Sequence, residues 1–327
     1  MARSADVEKP VGVLYEHPQW FEPLFEEMDR RGLSYERIDA NRLTYDPAAT
    51  SSPYSLVVNR MSPSSWLRGG ETALFATPGY LRYLDDLAVP VINGHESFGF
   101  ETSKARQLAL MARIGARHPR GRVITDPLDV VAVADHLEYP VLVKPNIGGS
   151  GGGIVSFDNP DALATSAASG QLEFGPDHTA IVQEHLPAEG DAIVRIEFLN
   201  GRFLYAIRLL LVPGSFNLCP ADYCELPGIG EAVSNRGAAV EAFTPPPQVI
   251  EEAGRILAAT GADLGGVEYL LNARDGHPYF YDVNALSNFV ADAPNVVGFD
   301  PFVDLVGFIV ERLDAADRTP ASQTVPA

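Results

Sequence analysis

Residues 139–154 read YPVLVKPNIGGSGGGI, a short apolar strand that ends in a lysine and runs straight into five glycines within six positions. In a strand, alternate side chains face opposite ways, so Tyr139, Val141 and Val143 share one face and Leu142 and Lys144 the other. An ammonium at the end of an apolar strand requires an anionic partner, because burying it alone is costly. Gly148, Gly149, Gly151 and Gly152, with Ser150 between them, let the backbone approach a ligand closely and aim N–H groups at negative oxygens. Lysine and loop together form a candidate grip for nucleotide phosphates. A glycine-rich surface turn beside a salt-bridged lysine is the alternative.

The two better-known phosphate loops do not fit. A Walker loop carries its lysine after the glycines, and a dinucleotide fingerprint opens a helix with an acid about 20 residues on. Here Lys144 precedes the glycines and the run IVSF after them is another strand. The segment is therefore expected to be a hairpin with a flexible glycine tip.

The 327-residue length fits two domains, or one domain with a lobe, and 46% hydrophobic residues can form a substantial core. A net charge of −19 argues against nucleic acid and anionic membrane surfaces as partners. No apolar run approaches the length of a membrane span, and the N-terminal residues lack the apolar core of a signal peptide, so a cytoplasmic location is expected. Cys219 and Cys224 make no disulfide framework, and no further ligands lie near them in sequence for a zinc site.

Strands at 11–17, 33–39, 55–61 and 89–93 alternate with helical spacing at 20–31 and 71–87, which predicts a small parallel α/β sheet over residues 10–97. Ligands on such sheets sit beyond the carboxyl ends of the strands, where Glu16, His17, Asn59 and Arg60 fall. These are candidate substrate contacts. A helix over 102–114 leads into a lobe at about 118–186, with strands at 121–125, 139–144 and 180–186 and helices at 127–137 and 159–169. From Ala192 the pattern reads as antiparallel. Asn200-Gly201 joins two strands by the strongest short turn signal in the chain. A helix at 245–260 precedes a hairpin turning at Arg274-Asp275-Gly276, a helix at 301–313 closes the fold, and 314–327 reads as a flexible tail.

The last hairpin carries Glu268 on one strand and Asp282 and Asn284 on the other. Asp282 and Asn284 are two apart and share a face, while Val283 turns to the core. Oxygen-only ligands of this kind suit Mg²⁺. A polar outer face on a half-exposed hairpin is the alternative. Arg195 and Arg208, each in an apolar strand, call for an anion or a structural carboxylate. Gln183, Glu184, His185 and Leu186 end a buried strand and could present backbone groups to an adenine edge, with Asp191 in the turn after them as a candidate ribose contact.

Lys104 at a helix start, Lys144 before the glycine hairpin, the QEHL run at 183–186, Arg195, Arg208, Glu268 and Asp282-x-Asn284 come in the order of the ATP-grasp superfamily. The chain resembles its glutathione-synthetase and RimK-type carboxylate–amine ligases, over about residues 100–290, and the first 95 residues resemble a pre-ATP-grasp domain. The resemblance implies an α/β chain, α+β in its C-terminal half, with a parallel pre-ATP-grasp domain at 10–97. An ATP-grasp domain would follow at 98–313, with a lid lobe and a C-terminal antiparallel sheet. It implies that Lys104 and Lys144 hold ATP phosphates, that Glu184 and Leu186 flank the adenine, and that Arg208 stabilises the transferring phosphoryl group. Glu268, Asp282 and Asn284 would hold two Mg²⁺ ions, for which Mn²⁺ could stand in.

The chain departs from the family at Ile193-Val194-Arg195, where Asp-Ile-Arg is common. It also exchanges aspartate and glutamate at the two metal carboxylates, and it departs in the stretch NLCPADYC. That stretch includes Asn217, a further candidate substrate contact. The implied activity is ATP-dependent ligation of a small carboxylate to an amine through an acyl phosphate, on an amino acid or small peptide. A kinase of the same fold and a non-catalytic ATP-binding regulator are the rivals. Relatives are commonly homodimers; the pattern itself does not fix the oligomeric state.

Overall fold

The computed structural model describes residues 9–149, 151–211 and 240–317. Ser150, Asn217, Cys219 and Cys224 lie outside them, as does most of the expected tail.

Near-continuous apolar runs dictate a sheet buried on both faces. Strands β1 (Val11–Tyr15), β2 (Tyr35–Asp39), β3 (Leu56–Arg60) and β4 (Val91–Ile92) are all parallel, in the order β2-β1-β3-β4. Helix α1 (Glu22–Arg30) covers one face through Leu24, Phe25 and Met28, and α2 (Glu71–Asp86) the other through Leu74 and Leu81. Glu16 and Arg60 stand at or just beyond carboxyl ends of this sheet, as the alternation of strands and helices predicts.

The helix expected at 102–114 is present as one helix, and a short helix that the sequence reading did not include precedes it. Helix α3 (His95–Glu101) ends at Thr102, and α4 (Lys104–Ile114) starts on Ser103, whose hydroxyl accepts the Arg106 N–H as an N-cap. Gly115, at φ 75°, then closes α4 in the left-handed region.

A second sheet holds β5 (Gly121–Ile124), β6 (Val141–Pro145), β7 (Val155–Phe157) and β8 (Ala180–Glu184), ordered β5-β8-β6-β7 and backed by α5 (Val130–Ala134) and α6 (Pro160–Ala168). Every pairing in it is antiparallel, so the switch from parallel pairing comes earlier than the expected Ala192. The glycine hairpin accounts for the pairing of β6 with β7, and β8 runs antiparallel to both β6 and β5.

The third sheet runs β11-β10-β9-β12-β13, with β9 (Ala192–Leu199), β10 (Arg202–Leu210), β11 (Val240–Ala242), β12 (Leu264–Leu271) and β13 (Pro278–Asn284). Asn200 and Gly201 both take positive φ, which satisfies the tight β9–β10 turn. Helix α7 (Pro247–Ala258) seals one face over Val194, Ile196, Phe198 and Phe280. On the other side a short α8 (Ala293–Val296) and α9 (Pro301–Asp317) join the core that includes α1; α9 runs four residues past the expected end. Among the described residues no helix is long and apolar enough to cross a membrane.

One buried side chain ties the parallel sheet to the third one. Asn93, at φ 56°, donates to the Leu264 carbonyl at 2.8 Å and to that of Ala285, and accepts the N–H groups of Asp263 and Leu264 at 2.9 and 3.2 Å. Asn93→Ala strands several buried backbone groups, at about 1–3 kcal/mol for each left unsatisfied. Urea unfolding is expected to show a loss of at least ~2 kcal/mol; a change below ~0.5 kcal/mol would show that this clamp contributes little.

Candidate active site

Between the second and third sheets lies a cavity of about 520 Å³, within the range of small-molecule sites. Its roof is the lysine strand and glycine hairpin: Leu142, Lys144, Gly148, Gly149, Gly151 and Gly152 all line it. Val141 and Val143 point instead into the core, as alternation requires. The loop rests on the parallel-sheet unit. A Cβ at Gly149 would meet that of Ser64 at 3.0 Å, and one at Gly152 would meet Leu67 Cδ1 at 2.7 Å, so a side chain at either position would make its neighbour shift.

Asn146 fastens the roof to α4. Its side-chain oxygen accepts the Ala105 N–H at 2.9 Å, its carbonyl accepts the Lys104 N–H at 3.2 Å, and its amide donates to Asp177 at 2.7 Å. Lys104 and Lys144 thereby converge on the cavity from different elements. Burial, followed by repulsion from Lys104, lowers the Lys144 amine to about 7. Burial also works against the charge of Lys104, but the Asp282 carboxylate, 2.6 Å away, outweighs it and raises that amine.

The floor is the face of the third sheet opposite α7. Glu268 pairs in register with Asp282, and the Asn284 amide donates to Glu268 Oε1 at 3.3 Å. Arg195, almost fully buried, reaches Glu268 at 3.2 Å and Glu197 at 2.6 Å. Burial, then repulsion from Asp282, raises the Glu268 carboxyl. Asp282 stays low: the attraction of Lys104 and Lys144 outweighs its burial. Two adjoining carboxylates and an amide oxygen form a donor set that fits a hard divalent cation, and the Lys104 ammonium already occupies a cation's position on Asp282. Such an ion would also offset the repulsion that raises Glu268.

Strand β8 and the residues just after it bring Gln183, Glu184, His185 and Leu186 to the cavity wall, with Asp191 after them. The Glu184 carboxylate itself turns outward to Arg120 and accepts the Glu138 N–H. Other expected residues are placed elsewhere. Arg208 pairs in register with Val194, on the α7 side of the sheet, where it lies 4.4 Å from the Phe243 ring and 3.4 Å from Glu241. That is the opposite face from Arg195, so the structure does not bring Arg208 to the cavity.

Asn59 spends its amide on the Asn93 carbonyl and the Met61 N–H. Arg60 is fully buried and donates to the Ser287 carbonyl, and Glu16 pairs with Arg68. None of these three lines the cavity.

The lining also holds residues that sequence reasoning missed, among them Trp20, Ser64, Glu101 and Tyr281. Glu101 accepts the backbone N–H groups of Ala285 and Leu286 and so fixes the loop that follows Asn284. Burial, then the nearby Asp282 charge, pushes its carboxyl up to about 7. A glutamate closing an unremarkable helix gives no sequence signal for this role.

No protein-family model matches the chain. It is 25% identical over 224 residues to the large chain of carbamoyl phosphate synthase from Thermus thermophilus, covering 65% of this chain and 20% of that one. The Gemmatimonas aurantiaca large chain is 26% identical over 302 residues, covering 85% and 26%. The chain thus spans about a fifth to a quarter of these relatives. Among solved structures, D-alanyl-alanine synthetase A from Vibrio cholerae superposes with a TM-score of 0.69 at 15% identity, over 94% of this chain and 99% of that one. The ATP-grasp ligase PsnB, complexed with a phosphomimetic variant of its minimal precursor, Mg and ADP, gives 0.65 at 17%, over 94% and 99%. A RimK-domain ATP-grasp protein from Sphaerobacter thermophilus gives 0.64 at 18%, over 91% and 99%. At these identities the structural likeness is one of fold.

The lowered Lys144 amine makes stability depend on pH. Between about pH 7 and 10.5 the unfolded chain binds this proton more tightly than the folded one, so the penalty is present in full below pH 7 and fades as pH rises. Lys144→Met removes it. The variant is expected to exceed the wild type in unfolding free energy at pH 6.5, by up to about 5 kcal/mol for a shift from 10.5 to about 7, and to lose most of that advantage by pH 10. A pH-independent difference would mean that Lys144 is not held against its charge.

Proposed function

We propose, from the ATP-grasp fold that this chain carries, that it is an ATP-dependent carboxylate–amine ligase making an amide bond through an acyl phosphate. The observation behind this reading is the convergence of Lys104 and Lys144 with Glu268, Asp282 and Asn284 in one cavity under a glycine hairpin. The PsnB structure of the same fold holds Mg and ADP, which supports the same pair of ligands here.

In this reading Lys144 and the glycine N–H groups face the phosphates, which would restore the ammonium charge that burial opposes. Lys104 then shares its charge between Asp282 and the nucleotide. Glu268, Asp282 and Asn284 would hold Mg²⁺, which supplies charge neutralisation at phosphate oxygens. Arg195 keeps Glu268 oriented and is tied down by Glu197, so it acts through the metal carboxylate. The backbone of 183–186 borders the adenine and Asp191 the ribose. Glycine contacts with Ser64 and Leu67 close the cavity toward the parallel-sheet unit, which would keep water from an acyl phosphate. The acid and amine enter between Trp20, Ser64 and the loop 286–289; an amino acid or small peptide is the substrate class. A cytoplasmic location and a homodimer belong to the same proposal.

The test incubates the protein with Mg-ATP and pools of amino acids and small carboxylic acids, following ADP, phosphate and product mass together. ADP and phosphate released in step with a product lighter than its precursors by one water is the expected result. ADP without phosphate, and a product heavier by a phosphoryl group, would make it a kinase. ATP binding without turnover on any pool would favour a regulator.

Glu268→Gln and Asp282→Asn each remove a carboxylate charge and are expected to lower the ligation rate ~10²-fold or more, by analogy with loss of one charge-stabilising group. Near-normal rates in both would remove these residues from the site.

A further inference from the structure

Strand β13 does not keep its alternation. Glu268 pairs with Asp282, but the next residue of β12, Tyr269, pairs with Phe280, which leaves Tyr281 as an extra residue opposite nothing. This is a β-bulge, a device that re-aims side chains beside functional sites. Unbroken alternation would place Phe280, Asp282 and Asn284 on the cavity face and Tyr281 with Val283 in the core. Instead Phe280 is fully buried against Tyr269, with ring centroids 5.7 Å apart, while Tyr281, Asp282 and Asn284 all line the cavity. The bulge exchanges one aromatic ring for another, and the ring that it delivers carries a hydroxyl.

That hydroxyl is closed off from solvent and has no hydrogen-bond partner of ordinary geometry. A buried O–H left so costs about 1–3 kcal/mol, which a phenylalanine would avoid. The charged groups that act on it are Glu268 first, then Asp282 and Arg195. Both hydrogen bonds that Glu268 accepts, from Arg195 Nη1 at 3.2 Å and Asn284 Nδ2 at 3.3 Å, go to Oε1. Neither of them reaches Oε2.

We propose that Tyr281 is a positioning residue of the metal site, its hydroxyl holding Glu268 in the orientation that binds the divalent cation while its ring walls the nucleotide cavity. The inference rests on reading the site as one for Mg-ATP. Partners that hold a ligating carboxylate from behind are typically worth 10–100-fold in metal affinity or activity. The bulge thus builds a carboxylate and the phenol that holds it from neighbouring strands, and no other element need move.

The experiment measures ADP binding in EDTA by calorimetry, and then Mn²⁺ binding to the ADP complex by electron paramagnetic resonance. Wild type, Tyr281→Phe, Glu268→Gln and the double variant are compared. Tyr281→Phe is expected to bind ADP in EDTA within twofold of wild type and to bind Mn²⁺ about tenfold more weakly. In the Glu268→Gln background the same change should add less than twofold, because the phenol acts through Glu268. Unchanged Mn²⁺ affinity, or an equal loss in both backgrounds, would overturn the proposal. So would weaker ADP binding in EDTA, which would make Tyr281 a direct nucleotide contact. Wild-type protein that binds ADP neither in EDTA nor with Mn²⁺ present would overturn the ATP reading itself, and this proposal with it.

Discussion

The contact between Lys104 and Asp282 holds the site together. It joins the first residue of α4 to β13 at 2.6 Å, in a place where both groups are largely shielded from water. Electrostatic interactions strengthen there, and removing one partner would leave the other charged and uncompensated. The pair matters most for what it aligns. Asn146 binds the backbone beside Lys104 and follows Lys144 by two residues, so the position of one lysine sets that of the other. Glu268, across from Asp282 in register, inherits its place from the same strand pair.

The layout of the fold was legible because it rests on patterns that sequence carries directly. Alternating strand and helix gave the parallel sheet, Asn200-Gly201 gave the β9–β10 hairpin, and the lysine strand with its glycines gave the roof of the cavity. The site was legible where a residue's face follows from counting by two, as it does for Lys144, Asp282 and Asn284. Counting by two fails at a bulge, which no residue type in YFYDVN announces, and so nothing in the sequence singles out Tyr281 as a cavity residue. Arg208 shows a different limit. A strand pattern says that two arginines on a hairpin lie close; the register says that Arg208 faces α7 while Arg195 faces the cavity. Asn59 was drawn in by its position at a strand end, yet its amide is consumed in fastening Asn93.

The glycine loop and the parallel-sheet unit depend on each other in a way that composition does not reveal. Two of the loop's glycines lie against Ser64 and Leu67, in a 3-10 turn that starts at Pro63 just after β3. Ser64 also accepts from Arg68, which pairs with Glu16 and sits 4.6 Å over the Trp20 ring. A cluster at the carboxyl end of the parallel sheet is therefore in contact with the roof of the cavity. Glu16 does not line the cavity, but it belongs to the network that braces the closed loop. The side chains at the carboxyl end of the parallel sheet and the glycine loop are parts of one packed surface.

Charge balance explains why the cavity suits a metal-bound polyphosphate better than a bare one. Lys104, Lys144 and Arg195 meet Glu101, Glu268 and Asp282 in its lining, with Glu184 and Asp191 at the wall. Within that balance Glu101 and Glu268 are still pushed upward by burial and by Asp282, and Lys144 downward by burial and Lys104. A triphosphate entering without cations would satisfy Lys144 but worsen the repulsion on Glu268. Divalent cations alone would do the reverse. On the proposed reading the two together would relieve both strained groups at once, the anion at the lysines of the roof and the cation at the carboxylates of the floor. The separation of the lysines above from the acids below is thus a physical argument for a metal–nucleotide complex, and it comes from which strand each residue occupies.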